Sequence, residues 1–154
     1  MSENDFVGQT IIQVQFINYL LNNNTMSPVL EYDIDEKYFP GYEKEFNYLF
    51  DFWELSKLKD GIGTLPDKVR FAYDFPEFPL FETGPAINAL FNQLHEQRCY
   101  ALFVEVLQNS AEQSKSSSFD AISYAKQEMD KLLNFANRTM GSGTDLIKQA
   151  NERL

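Results

Sequence analysis

At 154 residues with a net charge of −10, the chain has the size of one domain. It is poorly suited to hold nucleic acid by itself, because affinity for that polyanion comes from Lys and Arg neutralising phosphates. Hydrophobic residues at 44% and charged residues at 23% are ordinary for a globular chain able to bury a core. A single cysteine, Cys99, excludes an internal disulfide and suits a reducing compartment. The N-terminus Met-Ser-Glu-Asn-Asp lacks the charge and apolar run of a signal peptide. No apolar segment approaches the ~18 residues of a membrane span, so a cytoplasmic protein is expected.

After a short polar arm, Thr10 to Asn22 reads as a helix with Ile12, Phe16, Ile17, Leu20 and Leu21 on one face. Asn22-Asn-Asn-Thr25 should end it, because Asn competes for backbone hydrogen bonds. Met26 to Phe39 is a connection, with room for a helical turn at Ser27-Pro28, where Ser would cap and Pro would take the first helical position. The stretch from Glu31 to Phe81 then carries 14 of the chain's 23 aromatic residues. Residues 31–60 hold nine acidic and four basic side chains, which is half of the net charge.

Pro40-Gly41 opens a helix that runs to about Lys59. Tyr42, Phe46, Leu49, Phe50 and Trp53 make one apolar stripe and Tyr48, Phe52 and Leu55 a second, leaving Glu43, Asn47, Asp51 and Glu54 as a narrow wet strip. A helix apolar on most of its circumference is central in a core or covered by a partner. The second stripe is therefore a possible secondary interface. Gly61-Ile-Gly63 breaks the helix. Pro66 fits the first position of a short helix with Asp67 in its first turn, and Pro76 forces a stop near Tyr73.

From Pro85, Ile87, Leu90, Phe91 and Leu94 line a helix ending near Gln97. A second, carrying Tyr100, Phe103, Val106, Leu107 and Ser110, runs to about Gln113. Ser114-Lys-Ser-Ser-Ser118 is a polar turn, and Ser118 or Asp120 can cap the next helix. On that helix Ile122, Ala125, Met129, Leu132 and Ala136 repeat at 3, 4, 3, 4, a seam for an antiparallel neighbour. Gly141-Ser-Gly143 is a hinge before a last segment, Asp145 to Leu154. No segment alternates with period two. The expected fold is all-α: a globular helical head (1–98), an antiparallel helical hairpin (99–140), then a hinge and the start of a linker helix (141–154).

Little in the chain assembles into chemistry. Asp33-Ile-Asp35 opens like a calcium loop, but Tyr38 falls where Gly is required and Lys44 where the bidentate Glu should be, so a solvated acidic loop is the better reading. His95 and Cys99, at i and i+4, share a helix face. Two ligands do not make a zinc site, and a Cys–His nucleophile would need a third, orienting group. The plain reading is a packed Cys and a surface His. No catalytic, cofactor-binding or metal-binding residue is assigned.

The order of these parts resembles the N-terminal domain of replicative DNA helicases of the DnaB family, particularly phage-type members. The resemblance lies in Gln13 to Leu21, Ile34-Asp-Glu-Lys-Tyr-Phe39, Tyr42 to Leu58, the Pro66-Asp67 turn and the two arms from Ala101 to Met140. The Glu before the Gln and the Gly inside the first helix, frequent in that family, are absent. The resemblance implies a collar domain that pairs by its hairpins into dimers, or a trimer of dimers in a full ring, and that docks primase and a helicase loader. Phe103, Val106, Leu107, Ile122, Met129 and Leu132 would form the hairpin seam and part of the subunit contact. A motor needs a Gly-x-x-x-x-Gly-Lys-Ser/Thr loop to cradle phosphates, and no Gly-Lys pair occurs here. The chain is thus expected to be a non-catalytic N-terminal fragment whose full-length parent is an ATP-driven 5′ to 3′ helicase, with ATP and Mg²⁺ belonging only to that absent motor. The alternative from another class is a stand-alone acidic helical adaptor, such as a helicase loader or a phage inhibitor of host replication.

Overall fold

The apolar face expected on the first helix is where the core begins: Phe16, Ile17, Leu20 and Leu21 are all buried. The computed structural model describes residues 3–82 and 84–139. Among them the regular structure is six α-helices and one 3-10 turn, with no strand, so the fold is all-α. The chain divides after Leu94 into two compact units. The first, the head, was expected to run to residue 98. The expected hinge at Gly141-Ser-Gly143 and the segment Asp145–Leu154 lie outside the described residues. No helix among those described is long and apolar enough to cross a membrane.

In the head, α1 (Glu3–Asn23) begins earlier than its periodicity suggests and continues through Asn22 and Asn23. The turn falls on Asn24, whose φ of 46° is a left-handed conformation that Asn tolerates. α2 (Ser27–Glu31) has Pro28 in its first turn, but Met26 rather than Ser27 precedes it. The Ser27 amide instead donates to Thr25 Oγ1 at 3.1 Å. The acidic Asp33-Ile-Asp35 segment has a structural job: Asp35 accepts from the Lys37 amide at 3.0 Å and caps a 3-10 turn, Glu36–Tyr38, while Ile34 between the two acids is buried.

α3 (Glu43–Asp60) starts after Pro40-Gly41 and ends on Gly61, left-handed at φ 79°, whose amide returns to the Lys57 carbonyl. This is the helix stop that glycine makes at low steric cost. α4 (Lys68–Asp74) is capped by Asp67, which accepts from the Arg70 amide at 2.8 Å. Pro66 therefore lies before the helix rather than opening it, and Asp67 is the cap rather than a first-turn residue. Gly63, at φ 78°, faces Trp53 so closely that a Cβ there would come 2.5 Å from the indole Nε1.

The head's core is a chain of rings. Phe39 stacks on Phe46 at 4.8 Å and meets Phe16 at 5.8 Å. Phe78 is edge-on to both Phe71 (5.2 Å) and Tyr42 (5.4 Å). Rings in such offset and edge-on pairs add about 0.5–1.5 kcal/mol beyond their burial. Polar side chains of α1 and its end then fasten the loops around that core. Gln13 Oε1 accepts from the Gly41 amide (3.0 Å), Asn18 bonds both the Pro79 carbonyl (2.9 Å) and the Phe81 amide (2.7 Å), and Asn24 Oδ1 accepts from the Leu65 amide (2.8 Å). Gln13 and Asn18 are themselves buried.

α5 (Ile87–Ser114) is one continuous helix, which corrects the expected interruption near Gln97. Nothing between Gln97 and Tyr100 is a Gly or Pro, so the polar stretch there changes which face is apolar without breaking the backbone. Its first two turns belong to the head, where Tyr32 stacks on Phe91 at 3.8 Å and its hydroxyl donates to Asn88 at 3.1 Å. Burial, with Glu31 adding to it, pushes the Tyr32 hydroxyl above its usual pKa.

Candidate protein interface

The second unit is a helical hairpin, the remainder of α5 from His95 and α6 (Ser118–Thr139). The reversal between them is tight: the Ser116 and Ser117 amides both donate to the Gln113 carbonyl at 3.0 Å. Ser117, not Ser118 or Asp120, caps α6, its Oγ accepting from the Asp120 amide at 3.3 Å and its carbonyl from the Ala121 amide. Two cross-links give the register. Near the turn Asn109 Nδ2 donates to the Tyr124 hydroxyl at 3.1 Å, and at the far end the His95 ring reaches the Ala136 carbonyl at 3.3 Å and lies 5.2 Å from the Phe135 ring. The arms therefore run antiparallel along their whole length.

Within this seam Val106 and Ala121 are buried, and Leu102, Ala125, Leu132 and Ala136 are half-buried. Expected seam residues separate into three groups. Val106 lies in the seam, Met129 and Leu132 are half-buried, and Phe103, Leu107 and Ile122 point outward at 41%, 48% and 67% exposure. On α6 the seam runs through Ala121 in place of Ile122.

The outward residues form one side of the hairpin. Each comes one position after a seam residue: Phe103 after Leu102, Leu107 after Val106, Ile122 after Ala121, Leu133 after Leu132. One residue is a 100° turn about a helix axis. On two antiparallel helices facing each other, equal turns of the same hand land on the same side. Tyr100, Phe103 and Leu107 on α5 therefore join Ile122 and Leu133 on α6 as a single exposed apolar face. The hairpin surface also carries exposed ion pairs, Lys115–Glu112, Lys131–Glu128 and Lys126–Asp130, the last with Lys126 one turn after Ile122 and so beside the apolar face. Each is worth little in stability.

The secondary candidates Tyr48, Phe52 and Leu55 divide differently. Tyr48 and Phe52 are half-covered by α4: the Tyr48 hydroxyl donates to Asp74 and its ring is edge-on to Phe71 and Phe75, while Arg70 stands over the Phe52 ring at 4.9 Å. Burial, then the bond to Asp74, raises the Tyr48 pKa. Leu55 remains 68% exposed.

His95 and Cys99 do share a helix face, with Sγ 3.5 Å from Nε2. His95 is fully buried rather than on the surface, with its Nε2 proton directed at the Ala136 carbonyl. Burial lowers the His95 pKa; burial and the nearby Glu96 raise that of Cys99. A neutral imidazole beside a protonated thiol is the reverse of the thiolate that nucleophilic catalysis requires. No group of three or more His, Cys, Asp or Glu side chains able to hold a metal occurs among the described residues.

Two clefts in the head are equally plain. One of about 510 Å³ is lined by Asn18, Asn22, Phe81 and Leu90 among others, and both asparagines spend their amides on the 79–81 backbone. A groove of about 430 Å³ between Tyr42, Glu45, Asp74 and Phe78 offers carboxylates, but Asp74 already accepts from Tyr48. No protein-family model matches this chain, and no curated protein or solved structure matches it. Among these features the hairpin's exposed apolar face is the largest one drawn from both arms of a single unit.

Proposed function

We propose that this chain is the N-terminal collar domain of a DnaB-type replicative helicase, non-catalytic by itself, which pairs with a second copy through its hairpin and offers a docking platform for primase and a loader. One observation carries the reading: five large apolar residues from both arms are exposed on one face of the hairpin. Pairing two such faces would make a four-helix bundle, the arrangement by which an isolated two-helix layer acquires a core. The resemblance of the element order to that family supports the particular assignment, and the charge of −10 fits contact with proteins rather than with DNA.

Light scattering tests the pairing. The chain is expected to have at least dimeric mass, and Phe103→Glu or Ile122→Glu, both on exposed positions, should reduce it to a monomer with unchanged helicity. A folded variant of unchanged mass sinks the role of this face. Met129→Glu, at a half-buried position beside it, should act in the same direction. Reading the coding frame beyond Leu154 tests the assignment: a downstream Gly-x-x-x-x-Gly-Lys-Ser/Thr loop supports the helicase, and a stop codon favours a stand-alone adaptor.

A further inference from the structure

A groove of about 430 Å³ lies in the head between the start of α3 and the segment that follows α4. The rings of Tyr42, Phe75 and Phe78 and the carboxylates Glu45, Asp74 and Glu77 line it. Local rules bring them to their places. Tyr42 immediately precedes α3 and Glu45 lies in its first turn, while Pro76 and Pro79 keep the chain irregular after α4. The rings are braced from behind. Phe78 is buried, edge-on to Tyr42 at 5.4 Å and to Phe71 at 5.2 Å, and Phe75 lies 5.0 Å from Phe71 and 5.2 Å from Tyr48. Tyr42 and Phe75 remain half-exposed, so the groove offers aromatic surface that is already positioned.

The charge along this groove is one-sided. Residues 41–45 and 74–78 hold Glu43, Glu45, Asp74 and Glu77 against Lys44, a net −3, and counting Arg70 one turn before Asp74 still leaves −2. Neither cation lines the groove: Lys44 is exposed, and Arg70 stands over the Phe52 ring at 4.9 Å. Asp74 accepts from the Tyr48 hydroxyl, while Glu45 and Glu77 form no ion pair among the described residues. The positive end of α3 favours an acid in its first turn, but an acid there can meet that charge from open water. Glu45 is instead half-buried beside rings. Burial raises its pKa above the ordinary value, outweighing its own amide and Lys44. A carboxylate so placed gains from a cation brought to it.

We infer that this groove is a docking site for an arginine on an exposed segment of another protein, with the guanidinium among the rings and its charge met by Glu45 and Glu77. Carboxylates alone would mark only a wet acidic edge; rings and carboxylates together match both properties of a guanidinium. That group is flat and weakly hydrated, packs on aromatic surface and presents a fork of donors to carboxylates. A lysine ammonium is compact and holds its water more tightly. Free arginine would bring its own carboxylate into a negative groove, whereas within a chain that group is an amide. A second copy of this protein would bring ten more negative charges. No set of carboxylates in the groove could hold a metal ion. The inference stands whether or not the chain is a helicase collar.

The test is an NMR titration of the whole chain with an acetylated, amidated peptide carrying one arginine between glycines. Saturable shifts are expected at the amides of residues 41–45 and 74–78, and the affinity should fall with salt. A peptide with citrulline, which keeps the shape and loses the charge, should bind about tenfold more weakly or worse, and a lysine peptide should also be weaker. Glu45→Gln/Glu77→Gln should cost about tenfold or more, whereas Glu112→Gln, exposed on the hairpin, should cost nothing. Phe103→Glu should leave arginine-peptide affinity unchanged, so failure here and failure of hairpin pairing are separate results. No saturable shift, equal binding of the citrulline or lysine peptide, or wild-type affinity in the double variant would each overturn the inference. So would an equal loss in Glu112→Gln, or tighter binding of free spermidine than of the arginine peptide.

Discussion

The head and the hairpin solve the same problem, stabilising helices, with opposite resources. The head joins rings from four parts of the chain, Phe16, Phe39, Phe46 and Phe71, into a fully enclosed core, and buries Gln13 and Asn18 to fasten its loops. None of its six basic side chains is in an ion pair among the described residues. In the hairpin the ion pairs are external, the seam is narrow, and Phe103, Leu107, Ile122 and Leu133 face outward. Two helices have only one shared seam to bury, so apolar residues beyond it stay exposed until another layer covers them. The difference separates an enclosed core of rings from a single narrow seam between two helices.

The comparison breaks most decisively at the head's core. Phe71→Ala should cost about 3–5 kcal/mol, read as a large fall in the denaturation midpoint; a loss below about 1 kcal/mol would mean the ring cluster is not the main source of the head's stability. Gly63→Ala comes next, at about 2 kcal/mol, because the backbone must hold φ 78° with a Cβ pressed against Trp53. A shift in Trp53 fluorescence should accompany it. Asn18→Ala should cost about 1–3 kcal/mol by leaving the Phe81 amide and Pro79 carbonyl without their partner, and protection from hydrogen exchange at residue 81 should fall with it.

In the hairpin the expected effects are smaller. His95 has a folded-state pKa lowered by burial below its ordinary 6.5, so the unfolded chain binds the proton first. The stabilising contribution is intact above about pH 6.5 and is lost as pH falls from there through the folded pKa. Thermal melts at descending pH should show this, and His95→Gln should remove most of that slope. The smallest effect is Ile122→Ala, expected to change the stability of a monomeric variant by less than about 0.5 kcal/mol while weakening self-association. If it destabilises the monomer as strongly as Asn18→Ala, the hairpin has no spare apolar face and the contrast with the head fails.

Much of this architecture is readable in residue spacing, but unevenly. The face of α1 and the glycine stop of α3 come from local rules, because they depend on a few adjacent residues. The capping role of Asp67 is nearly legible, misplaced by one position. Gln13 and Asn18 as fasteners are not legible at all, since their partners at Gly41, Pro79 and Phe81 are distant in sequence and any polar residue on a helix can equally face water. The continuity of α5 is obscured by its change of apolar face at the division between head and hairpin. The candidate interface was half visible: spacing on α6 offers seams through Ala121 or Ile122, both compatible with a helical period, and selects neither.

The sequence by itself determined an all-α chain, its turns, its acidity and the pairing of two long helices across a Ser-rich reversal, because helical periodicity, glycine stops and charge are local properties. Only the tertiary structure decided that Ala121 goes inward and Ile122 outward, that His95 is buried, and that the cations near α4 meet no carboxylate. Those outcomes depend on which surfaces are brought together. A one-residue rotation of a helix leaves its local energetics almost unchanged, while the partner helix, which accommodates the small side chain of Ala121 in the seam, selects a single answer.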